Sequence, residues 1–183
     1  ITDDMTVEAK VNLSTGLYKG TISGGAFINS PFWSAQFIPP TAPLYTEPGN
    51  PSSGFNLRPN FVFSFNPVAQ EEFNTRESQV TNIISNVAFN YAITPSFSSR
   101  TFAGVSHENV AEDNFEDPRL PSNADVGGVD QRNMRRTTSY NVSQTFSYNN
   151  VFADKHAVSG LVGGEMKQED VMDFFFEGQG FPT

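Results

Sequence analysis

Apolar and polar residues alternate along five stretches of this chain, and the clearest is 135–169. There Tyr140, Val142, Phe146 and Tyr148 share one parity, interrupted by Gln144, while Asn141, Ser143, Thr145, Ser147 and Asn149 occupy the other. After a break at Ala153, Asp154 and Lys155, the apolar parity resumes with Val158, Val162 and Met166, with Gly160 and Gly164 between them. Successive side chains of a strand point to opposite faces, so this pattern predicts a long β-hairpin with one greasy and one small-polar face. The same reading predicts strands over 5–13 (Val7, Ala9, Val11, Leu13), 79–93 (Ile83, Val87, Phe89, Tyr91, Ile93) and 97–106. The facing of 97–106 is ambiguous, because Phe102 sits on its polar parity.

Between the strands, turn chemistry divides into short and long. Asp3-Asp4, Thr94-Pro95-Ser96 and 153–155 read as short turns, whereas 17–78, 107–134 and everything from Asp170 onward read as long loops. Within the first loop, Pro31 suits the first turn of a short helix over 32–37 with Ser30 as its cap, and Pro39-Pro40 stops it. Phe61, Phe63 and Phe65 alternate as a small hairpin arm. Gly24-Gly25 and Gly127-Gly128 read as loop flexibility, and Arg58, Arg76 and Arg119 read equally as loop braces or as substrate contacts. Short and long connections alternate strictly, so an up-and-down meander puts all long loops at one end of the strands. That asymmetry is the pattern of an outer-membrane barrel, with short periplasmic turns and long extracellular loops.

Composition narrows the function. The 183 residues carry a formal charge of −9, which disfavours a phosphate-backbone binder, and no cysteine, which removes disulfides and thiol chemistry. No apolar run reaches the ~18 residues of a transmembrane helix, but barrel strands need only ~9–11 alternating residues. His107 and His156 have no nucleophile or carboxylate partner at a useful spacing, so no catalytic residue is nominated and an enzyme is not expected. The loop holding Glu108, Glu112, Asp113, Glu116, Asp117 and Asp125 reads first as a solvated acidic loop. Asp113, Glu116 and Asp117 are its weak calcium candidates, without the register of a calcium-binding loop. Phe32, Trp33, Phe37 and Tyr45 are loop aromatics. Phe32, Trp33 and Tyr45 are the substrate-contact candidates, because aromatic faces stack on sugar rings, and Tyr18, Tyr140 and Tyr148 are candidates for an interfacial girdle.

Four segments carry a resemblance: ITDDMTVEAKVNLS, SPFWSAQFIPPTAPLYTEPGN, NVAFNYAITPSFSSRTFAGVS and SQTFSYNNVFADKHAVSGLVGGEMKQE. Together they resemble the middle of the barrel of SusC/RagA-type TonB-linked outer-membrane transporters of the Bacteroidetes. The resemblance implies an all-β, antiparallel up-and-down transmembrane β-barrel, with residues 1–183 supplying five consecutive strands of one larger barrel domain. It further implies TonB-dependent uptake of a bulky oligosaccharide or peptide and a SusD-like surface lipoprotein as lid. TonB contact would run through an N-terminal region not in this sequence, and no cofactor or nucleic acid is implied. Val7, Val11, Val87, Phe89, Val142, Phe146, Val158 and Val162 would then face outer-membrane lipid and lipopolysaccharide. The alternative is a soluble all-β glycan-binding or adhesin-type module, in which protein covers both parities of the middle strands.

Overall fold

The computed structural model describes residues 4–21, 30–58 and 65–181. Five antiparallel strands form one sheet in the order β1-β2-β3-β4-β5: Met5–Lys19, Thr75–Thr94, Phe97–Glu116, Val129–Phe152 and His156–Gln179. The protein is all-β, and each strand pairs with its sequence neighbours as the turn chemistry requires. Two short helices, α1 (Pro31–Phe37) and α2 (Pro67–Phe73), and one 3-10 turn (Pro51–Ser53) lie in the connection between β1 and β2. None of the described helices is long and apolar enough to cross a membrane.

The short turns fall where alternation breaks. Pro95 and Ser96 join β2 to β3, and residues 153–155 join β4 to β5. Ala153 and Asp154 there adopt φ of 52° and 53°. The strands run further than alternation alone predicts. β1 continues past Gly16 to Lys19, β3 takes in 107–116, β4 starts at Val129, and β5 carries 170–179 through Phe174, Phe175 and Phe176. The acidic loop is therefore 117–128, and Glu108, Glu112, Asp113 and Glu116 are strand residues. His107 is also a strand residue, and its ring lies 2.9 Å from the Thr138 hydroxyl across β3 and β4.

The chain divides into two compact units. One, the short-turn unit, comprises Ile1–Gly16, Val80–Asn109 and Arg135–Asp173; the other, the long-loop unit, comprises Leu17–Gln79, Val110–Met134 and Phe174–Thr183. In the short-turn unit, cross-strand contacts fix which parities share a face. Thr15 meets Thr81 at 3.5 Å, and a Cβ built on Gly104 would lie 3.7 Å from that of Asn86. Phe97 stacks on Phe146 at 5.9 Å, Ser139 donates to Glu169 at 3.0 Å and Asn141 donates to Glu165 at 2.9 Å.

Val7, Val11, Val87, Phe89, Val142, Phe146, Val158 and Val162 consequently occupy one face. Asn12, Asn86, Ser143, Glu165 and Lys167 occupy the other. Phe102 does belong to the polar face, where its ring lies over Gly104, 3.2 Å from the Cβ position that glycine leaves empty. Tyr18 shares the parity of Glu8 and Ser14, opposite that of Lys19, whose ammonium meets Glu77 at 2.6 Å. It is therefore not on the greasy face, unlike Tyr140 and Tyr148.

The greasy face has no core beneath it. Val11 is 74% exposed, Val162 67% and Val142 42%. Three of the polar side chains on that face satisfy one another. Gln144 donates to Ser99 at 2.8 Å and accepts from Thr101 at 2.6 Å. Among the described residues the buried apolar side chains are Ala69, Ala88 and Leu120 with Pro31 and Pro118, and of these Ala88 alone belongs to the short-turn unit.

Candidate functional site

The long-loop unit holds the residues whose chemistry is built rather than merely displayed. α2 starts at Asn66-Pro67, the same polar-cap-then-proline signal read at Ser30-Pro31, and the sequence reading passed over it. Asn66 accepts from the amides of Val68 and Ala69 at 3.1 and 3.2 Å and donates to the carbonyls of Leu44 and Asn56 at 2.8 and 3.1 Å. One side chain thus caps the helix and pins two loop strands, which is why it is 2% exposed. Ser30 sits at the corresponding position of α1 but makes no side-chain cap bond.

From the end of α2 a continuous strut runs into the loop 117–128. Asn74 Oδ1 accepts the amide of Asp117 at 2.9 Å. Arg119 then grips its neighbour's carboxylate with two prongs, Nε to Oδ1 at 2.8 Å and Nη2 to Oδ2 at 2.7 Å. Its guanidinium lies 3.8 Å over the Phe73 ring. Phe73 meets Phe55 edge-on at 5.5 Å, and Phe55 stacks on Tyr45 at 5.6 Å. The Arg119 fork holds the Asp117 carboxyl below its ordinary pKa, since hydrogen bonds and a neighbouring cation favour the charged form. Arg119 is therefore a brace, the first of the two roles its loop position suggested.

The loop closes through two glycines that are required rather than merely flexible. Gly127 and Gly128 have φ of +71° and +82°, and a Cβ on Gly128 would sit 2.7 Å from Pro118 Cδ. The Gly24-Gly25 pair lies outside the described residues, as do Phe61 and Phe63 of the expected hairpin arm. A bridge between Tyr45 and Phe55 forms in this connection.

The calcium candidates are not brought together. Both carboxylate oxygens of Asp117 are taken by Arg119, Asp113 faces Arg132 at 3.3 Å, and Glu116 ends β3. Among the described residues no group of three or more acidic or histidine side chains is arranged to hold a metal ion.

The substrate candidates divide. Tyr45 is half-buried in the strut, while Phe32 and Trp33 are 66% and 49% exposed on α1, with Trp33 stacked on Phe37 one turn later at 6.3 Å. α1 packs on α2. Between them lies an apolar groove of about 430 Å³, walled by Phe32, Ala35 and Val68. A polar cleft of about 370 Å³, lined by Lys19, Gln70, Glu72, Arg76 and Glu77, shares Thr21, Pro31 and Glu71 with that groove. No protein-family model matches the chain, and no curated protein does.

Proposed function

We propose that this chain is part of the wall of an outer-membrane β-barrel that actively imports a bulky solute, an oligosaccharide or a peptide. The mode would be that of the TonB-linked transporters it resembles, with a SusD-like lipoprotein as partner at the cell surface and TonB as the source of energy. The observation that carries the reading is the greasy face of the short-turn unit. Its apolar runs, 5–13, 83–93, 97–105, 140–148 and 158–166, each span about nine to eleven residues, the length a tilted strand needs to cross hydrocarbon. Side chains in water on such a face would lose roughly 25 cal/mol for each Å² left uncovered. Lipid removes that cost, and it tolerates polar groups only when they are bonded internally, as Ser99, Thr101 and Gln144 are.

Register adds a second support. By the cross-strand contacts, Leu13 is level with Ile83. Val105 and Tyr140 are level with each other but two residues nearer the short turns. Met166 is two residues nearer again. The outer limit of the apolar run thus slips about one residue per strand, and with strands ~4.8 Å apart and ~3.3 Å per residue this corresponds to a tilt near 35°. Transmembrane barrels tilt their strands by ~35–45°. β1 and β5 are the sheet's two margins, and a long unpaired edge calls for neighbouring strands.

The alternative, a soluble glycan-binding module, requires protein over both faces, and the exposure of Val11 and Val162 counts against it. Cysteines placed singly at Val11, Val142 and Val162 in native outer-membrane vesicles are expected to resist a water-soluble maleimide and to report a lipid environment when spin-labelled. Cysteines at Ser143 and Glu165 are expected not to report lipid. Equal aqueous labelling of both sets would end the reading. Solute uptake that persists after the proton gradient is discharged would end its active-import half.

A further inference from the structure

The groove and cleft around α1 and α2 form one trough with two chemistries meeting at Glu71. On the apolar side, Phe32 and Ala35 are three residues apart on α1, and Val68 and Glu71 are three apart on α2, so each pair shares a helix face toward the groove. On the polar side the ionic balance is acidic. Lys19 is engaged by Glu77 at 2.6 Å, which leaves Glu71 and Glu72 against Arg76. Glu71 accepts a hydrogen bond from the Thr21 hydroxyl at 3.0 Å, which orients its carboxylate at the junction of the two halves. Carboxylates only accept hydrogen bonds, so this end selects a donor-rich, positively charged group. The strut through Asn66, Asn74 and Arg119 holds α2 in place beforehand, so little ordering cost falls on the ligand.

We infer that the trough binds a peptide segment presenting an apolar side chain beside a lysine, an arginine or a free amino end. The apolar side chain seats between Phe32 and Val68, and the cation meets Glu71 and Glu72. The inference rests on the import reading only for its purpose, since it names which solute the loops would admit.

The test is calorimetric titration of the full protein in detergent with three probes: a short alternating leucine–lysine peptide, its leucine–glutamate counterpart and maltohexaose. The leucine–lysine peptide is expected to bind about tenfold or more tightly than the glutamate version, and to weaken as salt screens the carboxylates. Glu71→Gln, isosteric and unable to carry charge, should cost it roughly fivefold, close to 1 kcal/mol. Phe32→Ala, an exposed position that the fold does not need, should cost a similar factor. Equal binding of both peptides, binding of maltohexaose in their place, or two variants with unchanged affinity would overturn the inference. Outer-membrane fractionation of the same variants separates the two proposals. A protein that stays in the membrane but ignores the peptide loses only the trough, and one that binds the peptide yet fractionates as soluble loses only the wall.

Discussion

The two units of this protein differ in what they bury. In the long-loop unit, Leu120 and Ala69 are buried, and so are six polar or charged residues: Ser30, Ser34, Asn66, Gln70, Asp117 and Asn123. Helix α2 and the 3-10 turn carry side-chain caps, the ion pair of Asp117 and Arg119 is bidentate, and the aromatics meet in sequence from Phe73 to Tyr45. That is how irregular chain stabilises itself in water. The short-turn unit has regular strands, large apolar side chains in the open and one buried alanine, Ala88. The part that reads as loop is internally satisfied, and the part that reads as regular structure leaves its apolar area to its surroundings. Regularity of the backbone and burial of apolar area are therefore separate properties.

The comparison is broken most severely by charge on the greasy face. On the proposed barrel-wall reading, Val142→Arg destabilises the folded protein by about 2–4 kcal/mol, whereas Ser143→Arg, one residue away on the opposite face, costs far less. Urea unfolding in vesicles, followed by the loss of heat-resistant mobility on a gel, measures both. Similar costs for the two would mean that the faces do not differ in solvent.

Next in size are effects confined to the long-loop unit. Asn66→Ala removes the cap of α2 and two bonds to loop carbonyls, and should cost about 2 kcal/mol. Ser30→Ala, at a cap position without a side-chain bond, should cost only a few tenths. Hydrogen exchange of the Gln70 amide against that of Ser34 reads the contrast. Gly128→Ala forces a left-handed backbone onto a residue with a Cβ aimed at Pro118, at a cost of about 1–2 kcal/mol before any clash. Gly164→Ala, with open space around it, should be close to neutral, and thermal melts of the two variants test this.

The smallest effect is a pH dependence. The native carboxyl of Asp117 titrates below its unfolded value of about 3.9, so its stabilising contribution is fully present above that value. It is lost as pH falls through the depressed native value. Arg119→Ala should cost about 1–2 kcal/mol at neutral pH by leaving a largely buried carboxylate without its fork. It should also remove this acid-limb dependence, which stability measured from pH 6 to pH 2 would show. A variant with an unchanged acid limb would mean that the fork does not support the loop.

Much of the short-turn unit was legible because alternation is a local consequence of strand geometry. Val142 and Ser143 must point to opposite faces whatever surrounds them, and Pro95-Ser96 and 153–155 mark where the pattern must stop. The strand ends were not legible. Residues 107–116 and 170–179 lack clean alternation, and they are strand because neighbours across the sheet bond to them. For the same reason the face of Tyr18, a girdle candidate by sequence, is set by the contact of Lys19 with Glu77. Asn66-Pro67 was legible in principle, since it repeats the signal of Ser30-Pro31.

By itself, then, the sequence determined the all-β class, the two tight turns, helix α1 and which residues of one strand share a face, because each depends on residues near one another in the chain. Only the tertiary structure decided that the Arg119 guanidinium lies over Phe73, that Asp113 turns to Arg132 and that Gly128 is obligatory. It also decided that Ser99, Thr101 and Gln144 on the greasy face bond to one another. Those outcomes depend on which distant segments meet, and pairing energies between charges and hydrogen-bonding groups act through space rather than along the chain.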